Sequence, residues 1–449
     1  METIAALATA PFRAAIGVIR MSGDNAFSIA EACLRYTGDN RLIAPDQKRN
    51  LSFGRICQGD EVIDEVVVCA FRGPNSYTGE DTVEFSCHGG VYLLNRVLRL
   101  LFSLGARQAT GGEFTKRAFL NGKSDLTRAE GVMDLIDAEY STAARVAMSE
   151  LDGTVGHAIG EINLSLLGIA AQLLAYVDYP DDEIGEVSAE ALEDEITRAL
   201  DRVSALCDTY ETGKTIREGV PTVLCGKPNV GKSSLMNRLS GRERSIVTEI
   251  AGTTRDTVEE TVIFGGVKLI LTDTAGIRAT DDRVEQIGVT RARQAAERAD
   301  LILCVFDDRT EEDRLLAEEM RESKAKIVFL FNKSDQSPHT TLPPWADGVP
   351  AFRVSAKTGE GLAEVEAWVR DTFAPDLTTQ SALVSNGRQY HCLLRVRDAL
   401  QRARDNLCLT PDVIVSDVEE AIAAVGEITG ERVSESVIHE IFSRFCVGK

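Results

Sequence analysis

No two cysteines stand close enough to form a CxxC pair anywhere in the 449-residue chain. Residues 33, 57, 69, 87, 207, 225, 304, 392, 408 and 446 are scattered singly. That spacing excludes a zinc ribbon or a dithiol redox motif and points to free thiols in a reducing compartment. Basic residues are also short: 49 Lys and Arg stand against 70 Asp and Glu, a net charge of −21. A surface of that sign repels nucleic acid in bulk, so an RNA partner must meet a local patch, and DNA is not an expected partner. There is no low-complexity tract and there are only 12 prolines, while apolar residues reach 44%, which excludes global disorder. The first apolar stretch has no basic leader and is broken by Pro11 and Arg13, unlike a secretory signal. The longest mostly apolar segment, about 166–177, carries Gln172 and falls short of the roughly 20 residues needed to cross a bilayer. A cytoplasmic protein with no membrane association is expected.

At about 100 to 200 residues per domain the length suits three domains. Residues 1–117 mix short apolar runs such as 15–19, 65–70 and 82–85 with the turns Gly89-Gly90 and Gly111-Gly112, the pattern of an α+β domain. Residues 118–216 carry apolar positions at helical spacing, and so do 376–449, where Val433, Val437, Ile438, Ile441, Phe442 and Phe445 form one stripe. Between them, residues 217–375 alternate continuous apolar strands (221–225, 268–271, 301–306, 327–331) with helical stretches, the mark of a parallel sheet covered on both faces. The expected architecture is an all-α domain in two segments with an α/β domain inserted, preceded by the α+β domain.

Gly226-Lys227-Pro228-Asn229-Val230-Gly231-Lys232-Ser233 fits GxxxxGK[ST] directly after an apolar strand, and Ser234 continues into a helix. Small residues let backbone N–H groups wrap phosphate, Lys232 reaches the β- and γ-oxygens, and Ser233 offers a hydroxyl to Mg²⁺. Asp273-Thr274-Ala275-Gly276 ends a later strand, where a carboxylate and a glycine N–H suit Mg²⁺ and the γ-phosphate. Asn332-Lys333-Ser334-Asp335 ends another, and Asp335 can accept from both N1–H and the 2-amino group of guanine, donors that adenine lacks. Ser355-Ala356-Lys357 would place a backbone N–H on guanine O6. The ordered set is that of a Ras-like GTP-binding domain. The residue after Gly276 is Ile277, where Ras-type enzymes place the glutamine that orients the attacking water, so a substitute is required.

On these residues the chain resembles the tRNA modification GTPase MnmE (TrmE) family over essentially its whole length. The likeness rests on residues 226–234, on Ile250-Ala251-Gly252-Thr253-Thr254-Arg255-Asp256, on Asn75-Ser76-Tyr77-Thr78-Gly79-Glu80-Asp81, and on the terminal Phe445-Cys446-Val447-Gly448-Lys449. Ribosome-assembly GTPases of the Era and Der type share the nucleotide motifs but not the terminal signatures. A membrane-remodelling GTPase would need a basic amphipathic helix or a lipid anchor. The resemblance implies a K⁺ site at Asn229, Thr248, Ile250 and Thr253 within the 248–254 loop, which also brings Glu249, Ala251 and Gly252 to the nucleotide. It implies Thr254 on Mg²⁺ beside Ser233, and Glu285 as the residue that positions water. It further implies a homodimer built by the N-terminal domain, and a tetrahydrofolate derivative, 5-formyl- or 5,10-methylene-tetrahydrofolate, held by Arg20, Glu84, Lys123 and Lys449. Phe12 and Ala14 stand where the family often has glycine. Cys446 is implied as a chemical participant, with a structural role as the alternative. The implied activity is GTP hydrolysis coupled, with the flavoprotein MnmG in a heterotetramer, to carboxymethylaminomethyl or aminomethyl addition at C5 of the wobble uridine of tRNA.

Two further patterns read as structure, and a third does not indicate lipidation. Gly153-Thr154-Val155-Gly156 outlines an RNA-binding loop but holds no base, so a helix irregularity is expected. Cys87-His88-Gly89-Gly90 reads as a turn into a helix. Cys446-Val447-Gly448-Lys449 lacks the polybasic lead of a prenylation box.

Overall fold

The structure is a computed structural model that describes residues 2–36, 42, 44, 47–178, 189–241, 259–273, 297–307, 310–336, 341–374 and 382–449. It divides into two compact units, Met1–Met133 with Glu150–Leu192 and Arg402–Lys449, and Asp134–Ser149 with Glu193–Gln401.

The first unit holds strands β1 (Ile4–Leu7), β2 (Ile16–Ser22), β3 (Leu34–Tyr36), β4 (Arg49–Gln58), β5 (Glu61–Phe71), β6 (Thr82–His88) and β7 (Arg107–Gln108). They form one sheet in the order β3-β4-β5-β6-β2-β1-β7, antiparallel apart from the β1–β7 pair. Alternation along each strand sends Ile19, Met21, Val66, Val68, Val83 and Phe85 into a core with the helices Ala26–Cys33 and Val91–Ser103. Arg20 and Glu84, one residue out of phase, occupy the opposite face. The helix Val91–Ser103 has Gly90 as its N-cap, one residue beyond Gly89 and two beyond the end of β6 at His88, as the Gly89-Gly90 turn suggests. Gly153, at φ +89°, separates the helix Ser141–Leu151 from the helix Thr154–Asp178; a Cβ there would sit 2.4 Å from the Arg128 guanidinium.

Of the C-terminal stripe, Ile438, Phe442 and Phe445 are buried with Leu126 and Ala129, and Val433 and Ile441 pack against them. Val437 departs from that expectation and is exposed, because it lies on the outer side of the short helix Glu435–Ser443. The apolar stretch at 166–177 proves to be part of a longer helix. Residues Thr154–Ala175 are long and apolar enough to cross a membrane by length and composition. This helix packs along the helix Pro411–Thr429.

The second unit holds β8 (Val220–Cys225), β9 (Glu259–Phe264), β10 (Val267–Asp273), β11 (Leu301–Phe306), β12 (Lys326–Phe331) and β13 (Ala351–Arg353) in the order β13-β12-β11-β8-β10-β9. All neighbours are parallel except β9 and β10. Every residue of β11 is buried, the consequence of burial on both faces. Leu224, Leu303, Val305 and Leu330 pack toward the helices Lys232–Ser240 and Leu362–Phe373. Cys225, Cys304, Phe306 and Phe329 pack on the other face with Met320 of the helix Glu311–Met320. All ten cysteines are free. Cys225 and Cys304 are neighbours across β8 and β11 with sulfurs 3.1 Å apart, and burial, then this neighbour, pushes the Cys304 thiol well up.

Candidate functional site

The loops of interest, 226–231, 332–335 and 355–357, leave the carboxyl ends of β8, β12 and β13, the end of an open parallel sheet where ligands bind. Gly226 takes φ +148° and Gly231 φ +99°. A Cβ on Gly226 would stand 2.3 Å from the Val305 carbonyl, and one on Gly231 would stand 2.3 Å from Asn332 Nδ2. Only glycine therefore lets the loop close against β11 and β12. Asn229 (φ 65°) and Lys333 (φ 59°) are the two non-glycine residues at positive φ among the described residues. Such conformations cost on the order of 1–3 kcal/mol each and gather at functional loops.

Asn332 joins three segments. Buried at 3% exposure, its Nδ2 donates to the Val230 carbonyl (2.7 Å) and its Oδ1 accepts from Ala356 N (2.9 Å). Lys333 Nζ donates to the Asn229 carbonyl (3.0 Å) and pairs with Asp307 (2.7 Å). The hydroxyl of fully buried Ser355 donates to Asp335 Oδ1 (2.7 Å), a bond that holds the Asp335 carboxyl below its usual range. Ionised at neutral pH, this carboxylate can accept two N–H donors from one base edge. Lys357 lies close enough to act on Asp335 electrostatically.

Lys232 Nζ donates to the carbonyls of Gly226 and Lys227, both at 2.7 Å. Ser233 and Ser234 lie in the first turn of the helix Lys232–Ser240, whose N-cap is Gly231, so unpaired N–H groups and the helix dipole face the loop. Asp273 ends β10 opposite Leu224. Thr248, Glu249, Ile250, Ala251, Gly252, Thr253 and Thr254, then Thr274, Ala275, Gly276 and Glu285, lie outside the described residues. Of the implied K⁺ ligands, Asn229 alone is described.

In the first unit Arg20 and Glu84 stand directly opposite across β2 and β6, their side chains paired at 2.7 Å and only 15% and 25% exposed. The guanidinium lies 5.0 Å from the Tyr77 ring and 5.7 Å from the Phe114 ring, and it donates to the Gly448 carbonyl at 3.4 Å. The terminal segment is held by a bridge between Gly111 and Val447 and by Phe114 N donating to the Lys449 carbonyl (3.1 Å). Gly448, at φ +102°, passes so close to β1 that a Cβ would stand 2.2 Å from the Leu7 carbonyl. Lys123 is exposed and donates to the Pro74 carbonyl (2.9 Å), at the start of the loop whose Tyr77 covers Arg20. Cys446 is exposed and, with Val447, lines a cavity of about 610 Å³ beside the helix Val91–Ser103. Neither Arg20 nor Glu84 lines that cavity.

Sequence reasoning did not single out the individual roles of Tyr77, Phe114 or the Gly448 carbonyl, although Tyr77 and Gly448 fall inside the signature segments. It also missed the Asp64–His88 pair. Buried Asp64 holds the His88 imidazole at 2.7 Å, a contact that nothing in the local pattern announces.

A phosphate loop at the carboxyl end of a parallel sheet, tied through Asn332 to an Asp335–Ser355 base-recognition pair, defines a guanine-nucleotide-binding P-loop protein. The family comparisons carry this further. Residues 126–446 match the MnmE helical domain and residues 3–123 match the GTP-binding protein TrmE N-terminus. A tRNA modification GTPase MnmE from Natranaerobius thermophilus is 40% identical over all of this chain and 99% of its own length. One from Akkermansia muciniphila is 42% identical over 100% of this chain and 99% of its own. Among solved structures, the G domain of the T. maritima FeoB iron transporter is 27% identical over 33% of this chain and 96% of its own, with a TM-score of 0.26. The chain belongs to the tRNA modification GTPase MnmE family.

Proposed function

We propose that this protein hydrolyses GTP, activated by K⁺, and with the flavoprotein MnmG uses that cycle to add a carboxymethylaminomethyl or aminomethyl group at C5 of the wobble uridine of tRNA. The observation that carries the nucleotide half is the single side chain of Asn332, which ties the phosphate loop at Val230 to the base loop at Ala356. Family membership and the names of the relatives support the tRNA half.

Lys232 has its ammonium on two carbonyls of its own loop; on binding it would exchange them for β- and γ-phosphate oxygens. Asp335, whose carboxylate is oriented by the Ser355 hydroxyl, would select guanine. Ser233 and Thr254 are the residues that would hold Mg²⁺, and the Ser233 position in the first helical turn fits that task. Asn229, Thr248, Ile250 and Thr253 would hold K⁺; the exposed, left-handed turn at Asn229 fits a backbone opened toward a ligand. When bound, the two cations neutralise charge that develops on the transferred phosphoryl group. Glu285 would position the water that Ile277 cannot.

The Arg20–Glu84 pair beside the Gly448 carbonyl suits a tetrahydrofolate derivative, since a carboxylate can accept from pterin N–H donors and a guanidinium can meet an anionic tail; Lys123 and Lys449 would complete the site, with Cys446 as a chemical participant. We take residues 1–117, 118–216 with 376–449, and 217–375 as the three domains, the first making a homodimer, in a cytoplasmic enzyme.

The test is nucleoside analysis of tRNA from a deletion strain complemented with the wild-type gene or with Asp335→Asn. Loss of the modified wobble nucleoside with the variant and its return with the wild type are expected. Full modification with the variant would contradict the proposal.

A further inference from the structure

The first variable residue of the phosphate loop, Lys227, does not point toward the nucleotide side. Its ammonium bonds the Thr310 hydroxyl and pairs with Glu312 (3.0 Å) and Asp313 (3.2 Å) at the start of the helix Glu311–Met320. That start is a capping box: Thr310 Oγ1 accepts from Asp313 N (3.4 Å), while Asp313 Oδ2 accepts from Thr310 N (2.8 Å) and from the Thr310 hydroxyl (3.1 Å). Asp313 is fully buried, so its two oxygens divide the work. Oδ2 closes the cap, and Oδ1 faces the Lys227 ammonium. Three consecutive carboxylates, Glu311, Glu312 and Asp313, crowd this first turn. A cation there offsets their mutual repulsion, and a buried carboxylate without one is costly.

The main chain of the same residue does something else: the Lys227 carbonyl accepts from Lys232 Nζ. Residue 227 thus touches the fixed helix through its side chain and the nucleotide lysine through its backbone. When Lys232 turns to phosphate, the loop loses two of its internal hydrogen bonds. The side-chain tether to the helix does not involve Lys232.

We propose that Lys227 is a positioning residue of the GTPase site, a clamp that fastens the phosphate loop to the capping box at Thr310–Asp313 and keeps it shaped for nucleotide before nucleotide arrives. It rests on the reading of this site as a GTPase centre. A loop in the competent shape for only a fraction of the time binds with an affinity reduced by that fraction, so loss of the clamp falls on binding and not on the bound complex.

The experiment is GTP affinity and steady-state hydrolysis of the full chain carrying Lys227→Met, Lys227→Arg or Glu312→Gln, each with a thermal denaturation curve. Lys227→Met should raise the KM and Kd for GTP about 10-fold with kcat changed less than about 2-fold, and Lys227→Arg should restore most of the affinity. Glu312→Gln, on a side chain 81% exposed and safe for folding, should move KM the same way by a smaller factor. A lowered Tm with unchanged GTP affinity in both Lys227→Met and Glu312→Gln would overturn the clamp, leaving a structural role alone. A kcat loss as large as the KM change would also overturn it, by placing Lys227 at the reacting phosphates. A wild-type protein that binds no GTP would overturn the underlying reading and the clamp together.

Discussion

The nucleotide site and the Arg20 site are built in opposite ways. The first is made of short contiguous loops, 226–233, 332–335 and 355–357, each at the end of a strand of one sheet, stitched together by bonds such as Asn332 to Val230. The second is made of single residues far apart in the chain: Arg20 meets Glu84 across two strands, and it meets a carbonyl 428 residues away. A contiguous loop carries its geometry in its own residue order, so its chemistry can be written down from the motif. A site assembled from one residue per segment depends on tertiary packing, and its members look like ordinary surface residues until the fold is known.

That contrast can be broken most forcefully at the base-recognition pair. Asp335→Asn should lower GTP affinity on the order of 10³- to 10⁴-fold, because guanine donors would face a donor amide, while xanthosine nucleotide binding appears in its place. Equilibrium titration with both nucleotides measures this. Unchanged GTP affinity would remove Asp335 from the site. A smaller effect is expected at Glu285→Ala, with GTP affinity intact and hydrolysis down by about 10²-fold; single-turnover kinetics separate the two terms.

On the assembled side, Gly448→Ala forces a Cβ toward the Leu7 carbonyl in a left-handed conformation. It should shift the terminal segment and weaken binding of a tetrahydrofolate derivative about 10-fold, with GTP turnover unchanged. Isothermal titration with 5-formyl-tetrahydrofolate checks it, and equal affinity would separate the terminus from that ligand. Cys446→Ser should likewise spare GTP turnover while lowering wobble modification; normal modification would make the thiol structural.

The smallest effect concerns the anchor under that terminus. Burial would raise the Glu113 carboxyl, but the bonds from Arg107, Thr110 N and Arg117 outweigh it and pull the carboxyl down to about 2 from 4.5. A depressed folded-state value means the contribution is complete above pH 4.5 and is lost as pH falls from 4.5 toward 2. Glu113→Gln should therefore be less stable than wild type at neutral pH by roughly 1–2 kcal/mol, and the gap should close on acidification. Denaturant melts at pH 7 and pH 3 measure it; a constant gap would show that the charge on Glu113 is irrelevant.

Much of the fold was legible because burial on both faces leaves uninterrupted runs, as in Leu301–Phe306, and because short apolar runs such as 65–70 stand between turns; within β5 the burial alternates although the residue types do not. The phosphate and base loops were legible for the reason already given. Arg20, Glu84, Lys123 and Lys449 became candidates through the family resemblance and not through any pattern of their own. The Lys227 clamp escaped notice because its partners, Thr310 and Asp313, lie more than 80 residues along the chain and look like an ordinary capped helix start.

The reading tested most directly is that this site hydrolyses GTP with K⁺ supplying the charge an arginine finger would supply, while Glu285 would position the water that Ile277 cannot. The most direct measurement is steady-state GTP hydrolysis by the full chain in K⁺ and in Na⁺ at equal ionic strength. Turnover much faster in K⁺, with the difference erased by Asn229→Ala, is the predicted result; no turnover in either salt, or equal rates in both, would contradict it.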